Sequence, residues 1–203
     1  MNQAEALQKL KNLGVPTFET RDAAALLGIT PANASLMLGR MSSRELIGRL
    51  GRGTWSIGRT SAGQIAEQLA IPYPAYVSLQ SALFRHGLIE QVPAITFAIT
   101  LGRARRVKTP QGVVSLHRMP PELFGGFAEA EDGSKLATPE KALFDWAYLC
   151  PTRSRLFVKL PELEIPHSFS WPETFRWAKR IHGASRRSFV HTKLANLRAQ
   201  SVE

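Results

Sequence analysis

The stretch TRDAAALLGITPANASLMLGRMSSRELIGRLGRGTWSI, residues 20–57, decides how this chain is read. Residues 20–27 carry a short helical pattern that stops at Gly28, and a second helix opens at Thr30-Pro31. A threonine hydroxyl can cap the free N–H groups of a helix start. Proline suits the first turn because its missing N–H would have no partner there. Downstream, residues 46–50 and 54–57 flank Gly51-Arg52-Gly53, which predicts a β-hairpin. Two helices across a tight turn, followed by a basic hairpin, predict a winged helix-turn-helix. In that arrangement the second helix enters the major groove and the hairpin lies near the phosphates.

The second helix can be checked by its own spacing. Ala34, Met37, Leu38 and Met41 fall at i, i+3, i+4 and i+7, one apolar stripe that must face a core. A turn of about 100° per residue puts Ala32, Ser35, Leu36, Gly39, Arg40 and Ser43 on the opposite face, with Asn33 at its edge. Small side chains there let the helix backbone approach base edges. Arg40 has the fork for guanine, Asn33 the amide for adenine, and Leu36 the apolar surface for a thymine methyl. Thr30, at the helix start, and Arg49 and Arg52, in the hairpin, complete the expected DNA-contacting set. A helical hairpin of this shape also serves as a protein-binding module. The hairpin arginines favour nucleic acid.

The chain has 203 residues, enough for two small domains or one of ordinary size. With 44% hydrophobic and 21% charged residues it should fold around a core. No apolar run nears the ~20 residues of a membrane-spanning helix. The opening residues lack the basic start and apolar run of a signal peptide. Cys150 is the only cysteine, which excludes an intrachain disulfide and a cysteine-built zinc site. The expectation is a cytoplasmic protein with no membrane partner, no metal and no cofactor.

The net charge of +10 is unevenly placed. Residues 1–63 hold 8 Lys/Arg and 4 Asp/Glu, residues 64–150 hold 8 and 8, and residues 151–203 hold 10 and 4. Basic ends predict contact with a polyanion. The neutral middle predicts a scaffold or a protein-binding surface.

Around the opening stretch, residues 3–13 predict a first helix with Leu7, Leu10 and Leu13 near one side. Residues 58–63 (GRTSAG) read as a linker, with Arg59 solvated or touching a phosphate. The expected division is therefore a DNA-binding domain over 1–60 and a second domain over 64–203. The second part shows a short helix (65–69), a helix over 78–86 closed by Gly87, and strands at 94–100 and 112–117. Between those strands Arg103, Arg105, Arg106 and Lys108 lie in a turn that includes Pro110-Gln111-Gly112. A hairpin is expected around Asp132-Gly133. A helix over 139–150 opens at Thr138-Pro139-Glu140 and carries Leu143, Trp146, Ala147 and Cys150 on one face. In the tail, Ser170 and Glu173 form a capping-box pattern ahead of a helix that Gly183 ends. A last helix covers 185–199. The fold class expected is α+β: an N-terminal winged helix-turn-helix, then a mixed α/β domain with a basic helical tail.

The chain as a whole resembles the AbiEi family of antitoxins. The resemblance rests on residues 76–83 (YVSLQSAL) with His86-Gly87-Leu88-Ile89, on residues 121–126 (PELFGG), and on residues 136–145 (LATPEKALFD). The pattern Leu160-Pro161-Glu162-Leu163 adds to it. Each motif is weak alone, and their order behind the winged helix is what is specific. The resemblance implies an antitoxin of a type IV toxin–antitoxin system, of the phage-defence kind. It would repress its own operon by binding operator DNA. It would counter a nucleotidyltransferase-like toxin, directly or functionally.

One recognition helix reads only a few base pairs, so the operator is expected to hold inverted repeats bound by two copies. The basic surfaces available for toxin or DNA are Arg103, Arg105, Arg106 and Lys108, and in the tail Arg176, Lys179, Arg180, Arg186 and Arg187. The alternative is that both sets are solvated. Enzyme signals are thin. The five histidines show no metal-ligand spacing, Gly51-Arg52-Gly53 is too short for a phosphate loop, and Ser154 and the other serines lack a nucleophile-elbow setting. Glu122, Glu129, Glu140 and Asp145 read as a helix start and surface charges rather than a nuclease metal site. A stand-alone winged-helix repressor is the second reading and a DNA-targeted nuclease the third.

Overall fold

The computed structural model describes residues 2–58, 60–109, 111–150, 160 and 162–201. Arg59, Pro110, Ser154 and Pro161, named above, lie outside the described residues. The class is α+β.

The first elements build a small sheet with helices on it. Helix α1 (Gln3–Lys11) opens on a reciprocal cap, in which the Asn2 side chain accepts from the Glu5 N–H and the Glu5 carboxylate accepts from the Asn2 N–H. Strand β1 (Thr17–Glu19) leads into α2 (Thr20–Leu27), which closes at Gly28. Helix α3 (Pro31–Ser43) follows, then β2 (Gly48–Gly51) and β3 (Thr54–Ser56). The sheet order is β1-β3-β2, antiparallel throughout. The hairpin appears where its turn chemistry placed it. Strand β1 did not show in the sequence because three residues cannot display an alternation. Its Phe18 nonetheless enters the core with Leu10, Leu38, Met41, Ile47 and Trp55.

Helix α4 (Ala62–Ala70) starts earlier than expected. Ser61 caps it, accepting from the Gln64 N–H, while the Gln64 side chain accepts from the Ser61 N–H. Part of the expected linker is thus a helix start. Gly63 has no room for a side chain, since a Cβ would come 2.5 Å from the Ser134 Oγ. A fragment beginning at residue 64 would lose this cap and the first turn.

The second sheet has the order β6-β7-β5-β4-β9-β8. Its strands are β4 (Ala75–Val77), β5 (Ile95–Thr100), β6 (Arg105–Thr109), β7 (Gly112–Arg118), β8 (Phe127–Glu129) and β9 (Lys135–Ala137). Strands β8 and β9 form the expected hairpin around Asp132-Gly133. Pairs β4–β9 and β5–β7 are parallel. One face meets α4 through Ala75, Ala98, Val114 and Leu116. The other, through Tyr76, Phe97 and Ile99, meets α5 (Leu79–Arg85), α6 (Pro139–Leu149), α7 (Trp171–Lys179) and α8 (Ala184–Gln200). Helix α7 stops at Lys179, before Gly183, which instead opens α8. Trp177 of α7 is buried in this core.

The two sheets share a contact that periodicity did not show. Leu50 of β2 is 1% exposed and packs with Ile65, Leu69, Val114 and Leu116 of the second unit. Strand β2 also lies against β6. Burying a leucine side chain contributes roughly 1.5–3 kcal/mol, so Leu50 ties the hairpin to the second sheet.

Candidate nucleic-acid interface

The face of α3 that periodicity turned outward is exposed along its length. Thr30, Ala32, Asn33, Ser35, Leu36, Arg40 and Ser43 are all exposed, while Ala34, Leu38 and Met41 are buried. Thr30 caps the helix, its hydroxyl accepting from the Asn33 N–H at 3.3 Å. Leu36 is 61% exposed, a large apolar side chain standing in water on a helix of otherwise small and polar outward residues. The helix contains no Asp or Glu. Nothing on its outward face would repel a phosphate chain.

The hairpin is tied to the start of α2. The Thr20 N–H donates to the Gly53 carbonyl at 2.8 Å, and the Thr20 hydroxyl accepts from the Trp55 indole N–H at 2.9 Å. These bonds hold the tip, with exposed Arg52, at a defined place beside α2. Arg49 sits opposite Trp55 in the ladder, its guanidinium 5.6 Å from the ring centroid.

The second basic feature differs from its expected form. Arg105, Arg106 and Lys108 belong to edge strand β6, not to a turn. The reason is Val107, which packs half-buried on the core beneath α4 and anchors the segment there. Strand alternation then splits the charges. Arg105 pairs with Leu116 and shares the α4 face, while Arg106 and Lys108 pair with Ser115 and Val113 on the other. Exposed charge on an edge strand also blocks pairing with another chain.

In the tail, four of the five arginine and lysine candidates are engaged within the chain. Arg176 pairs with Glu173, and Arg180 stacks over Trp177 at 4.3 Å. Arg186 donates to the Tyr148 carbonyl, and Arg187 donates to the Ile181 carbonyl at 3.0 Å. Lys179 is left exposed. The tail is less of a free basic surface than its composition suggested.

The expectation that Asp145 is a surface charge fails. Asp145 is fully buried on α6, paired with fully buried Lys141 one turn earlier. Its carboxylate also accepts from Ser78 Oγ at 2.7 Å and from the Tyr76 hydroxyl at 3.1 Å. Three aromatic rings, of Tyr76, Phe144 and Trp177, surround the Lys141 ammonium. Burial pushes the Asp145 carboxyl up and the Lys141 amine down, and their mutual attraction opposes both shifts. Gly126 closes the cluster, since a Cβ there would lie 2.7 Å from the Trp177 ring. The available signal was the Lys–Asp spacing of four on a helix whose every face is apolar. Many of the residues that carry the family resemblance sit in or against this core.

His117 is a further perturbed group on this side of the sheet. Burial lowers its imidazole to about 4, and Ser115 Oγ lies 2.9 Å from its Nε2. Among the described residues no group of His, Cys, Asp and Glu side chains forms a metal site, and no helix is long and apolar enough to cross a membrane.

No protein-family model matches this chain, and no characterised protein matches it in sequence.

Proposed function

We propose that residues 2–57 are a winged helix-turn-helix that binds operator DNA, with α3 as recognition helix and the β2–β3 hairpin as wing. The observation that carries this reading is the outward face of α3: acid-free, small and polar, with Asn33, Leu36 and Arg40 exposed together. Such a face can enter a major groove and meet base edges. Arg49 and Arg52 supply phosphate contacts beside it. The pairing of two copies on inverted repeats would give the length of site that one helix cannot read.

We further propose, from the family resemblance, that the protein represses its own operon and counters a nucleotidyltransferase-like toxin. It acts by binding, without turnover. Footprinting of the DNA upstream of the gene tests the first part: protection of two inverted half-sites is expected, and a single asymmetric site contradicts pairing. Co-expression with the adjacent gene product tests the second. Growth rescue is expected, and the charge-reversal variant Arg105→Glu/Arg106→Glu should impair it while leaving the fold intact. Full rescue by that variant removes β6 from the antitoxin surface. Absence of rescue by the wild type leaves the second reading, a stand-alone repressor, which the ligand-sized cleft beside Tyr73 also favours.

A further inference from the structure

Strand register brings three arginines to one cleft. Arg105 pairs with Leu116 across β6 and β7, and Thr100 pairs with Arg118 across β5 and β7. Leu116 belongs to the core beneath α4, so Arg105, Thr100 and Arg118 all rise from that face of the sheet. The β5–β6 connection adds Arg103. Together with the segment after α4 these residues line a cleft of about 490 Å³. Tyr73, 52% exposed, forms one wall. Its ring lies on Gly102, where a Cβ would come 2.8 Å from a ring carbon, so the absent side chain is what lets the ring lie there.

The charge in this cleft is one-sided. Among the described residues no carboxylate lines it, and no side-chain hydrogen bond or ion pair engages Arg103, Arg105 or Arg118. The C-terminal end of α4 borders the same space and carries about half a negative charge. Three guanidinium groups outweigh it. Arginine forks match phosphate oxygens in geometry as well as charge.

We propose that this cleft binds a small phosphorylated molecule carrying an aromatic ring, of the nucleotide class. Its phosphates sit on Arg105 and Arg118, with Arg103 closing from the connection, and its ring lies against Tyr73. The volume falls within the ~300–1,000 Å³ of small-molecule sites. The inference stands on this cleft alone and does not depend on the DNA-binding reading.

Calorimetric titration of the full chain with ADP, and separately with pyrophosphate, at about 0.15 M salt tests it. Saturable one-to-one binding of ADP is expected. Arg105→Gln/Arg118→Gln should weaken it at least tenfold. Arg106→Gln/Lys108→Gln, which removes the same charge from the other face, should leave it unchanged. Tyr73→Ala should weaken ADP several-fold and spare pyrophosphate. In the wild type, ADP should slow amide hydrogen exchange within residues 70–73 and 100–105, a readout that needs no variant to fold. Absence of saturable ADP binding overturns the proposal, as does equal loss in the two double variants or an unchanged exchange pattern. Equal loss of ADP and pyrophosphate in Tyr73→Ala overturns the role of the ring. If Arg105→Gln/Arg118→Gln weakens duplex binding while ADP does not bind, the arginines belong to a DNA surface and the proposal fails.

Discussion

The outward face of α3 and the inner face of α6 both carry polar side chains on a helix, under opposite conditions. On α3, Asn33, Ser35 and Arg40 stand in water with no ion pair among the described residues. On α6, Lys141 and Asp145 are fully buried and their partners are all internal. A polar group whose bonding capacity is satisfied inside the chain contributes to folding. One left open to solvent is available to something outside. The difference predicts that substitutions at the two places act on different observables.

The largest effect should come from the buried pair. Asp145→Ala leaves the Lys141 ammonium without its counter-charge and should cost about 3–5 kcal/mol of stability by denaturant unfolding. Lys141→Met/Asp145→Leu should recover part of that loss, because no uncompensated charge remains. A double variant as unstable as Asp145→Ala would show that packing, not charge, sets the cost.

Arg40→Ala should reverse this pattern. It should cost about 1–3 kcal/mol in operator binding and relax the sequence preference at one position. Its unfolding midpoint should stay close to wild type, as for other exposed sites. Equal loss on operator and unrelated duplex would reduce Arg40 to a phosphate contact.

His117 gives an effect that depends on pH. Its imidazole is held to about 4 by burial, below the ordinary 6.5. Between these values the unfolded chain binds more protons at this histidine than the folded one, so the His117 contribution to stability falls as pH falls from 6.5 toward 4 and is flat above about pH 7. The full difference corresponds to about 3 kcal/mol at most. His117→Gln should flatten that part of the profile, and an unchanged slope would assign it to other groups.

The same contrast explains what could be read from sequence. The α3 face was legible because one stripe is apolar and the other is not, and a helical period separates them. The hairpin was legible from its glycine turn. Strand β6 was not, because four charges in six residues look like a loop until Val107 is seen to have a core to enter. Asp145 was misplaced for the converse reason. A carboxylate on a helix reads as solvent-facing unless its partners, here Tyr76 and Ser78 from far along the chain, are known. Leu50 shows the same limit, since its alternation within β2 marks it as buried but not against which sheet.

If α3 and the hairpin read DNA as proposed, the chain must discriminate between duplexes by sequence. The most direct measurement is the affinity of the full chain for the duplex upstream of its gene and for a shuffled duplex, across a series of salt concentrations. The upstream duplex should bind tighter, and Arg49→Ala and Arg52→Ala should each lower the salt slope by about one on both duplexes. Equal affinity for the two duplexes, with slopes unchanged by either substitution, would contradict it.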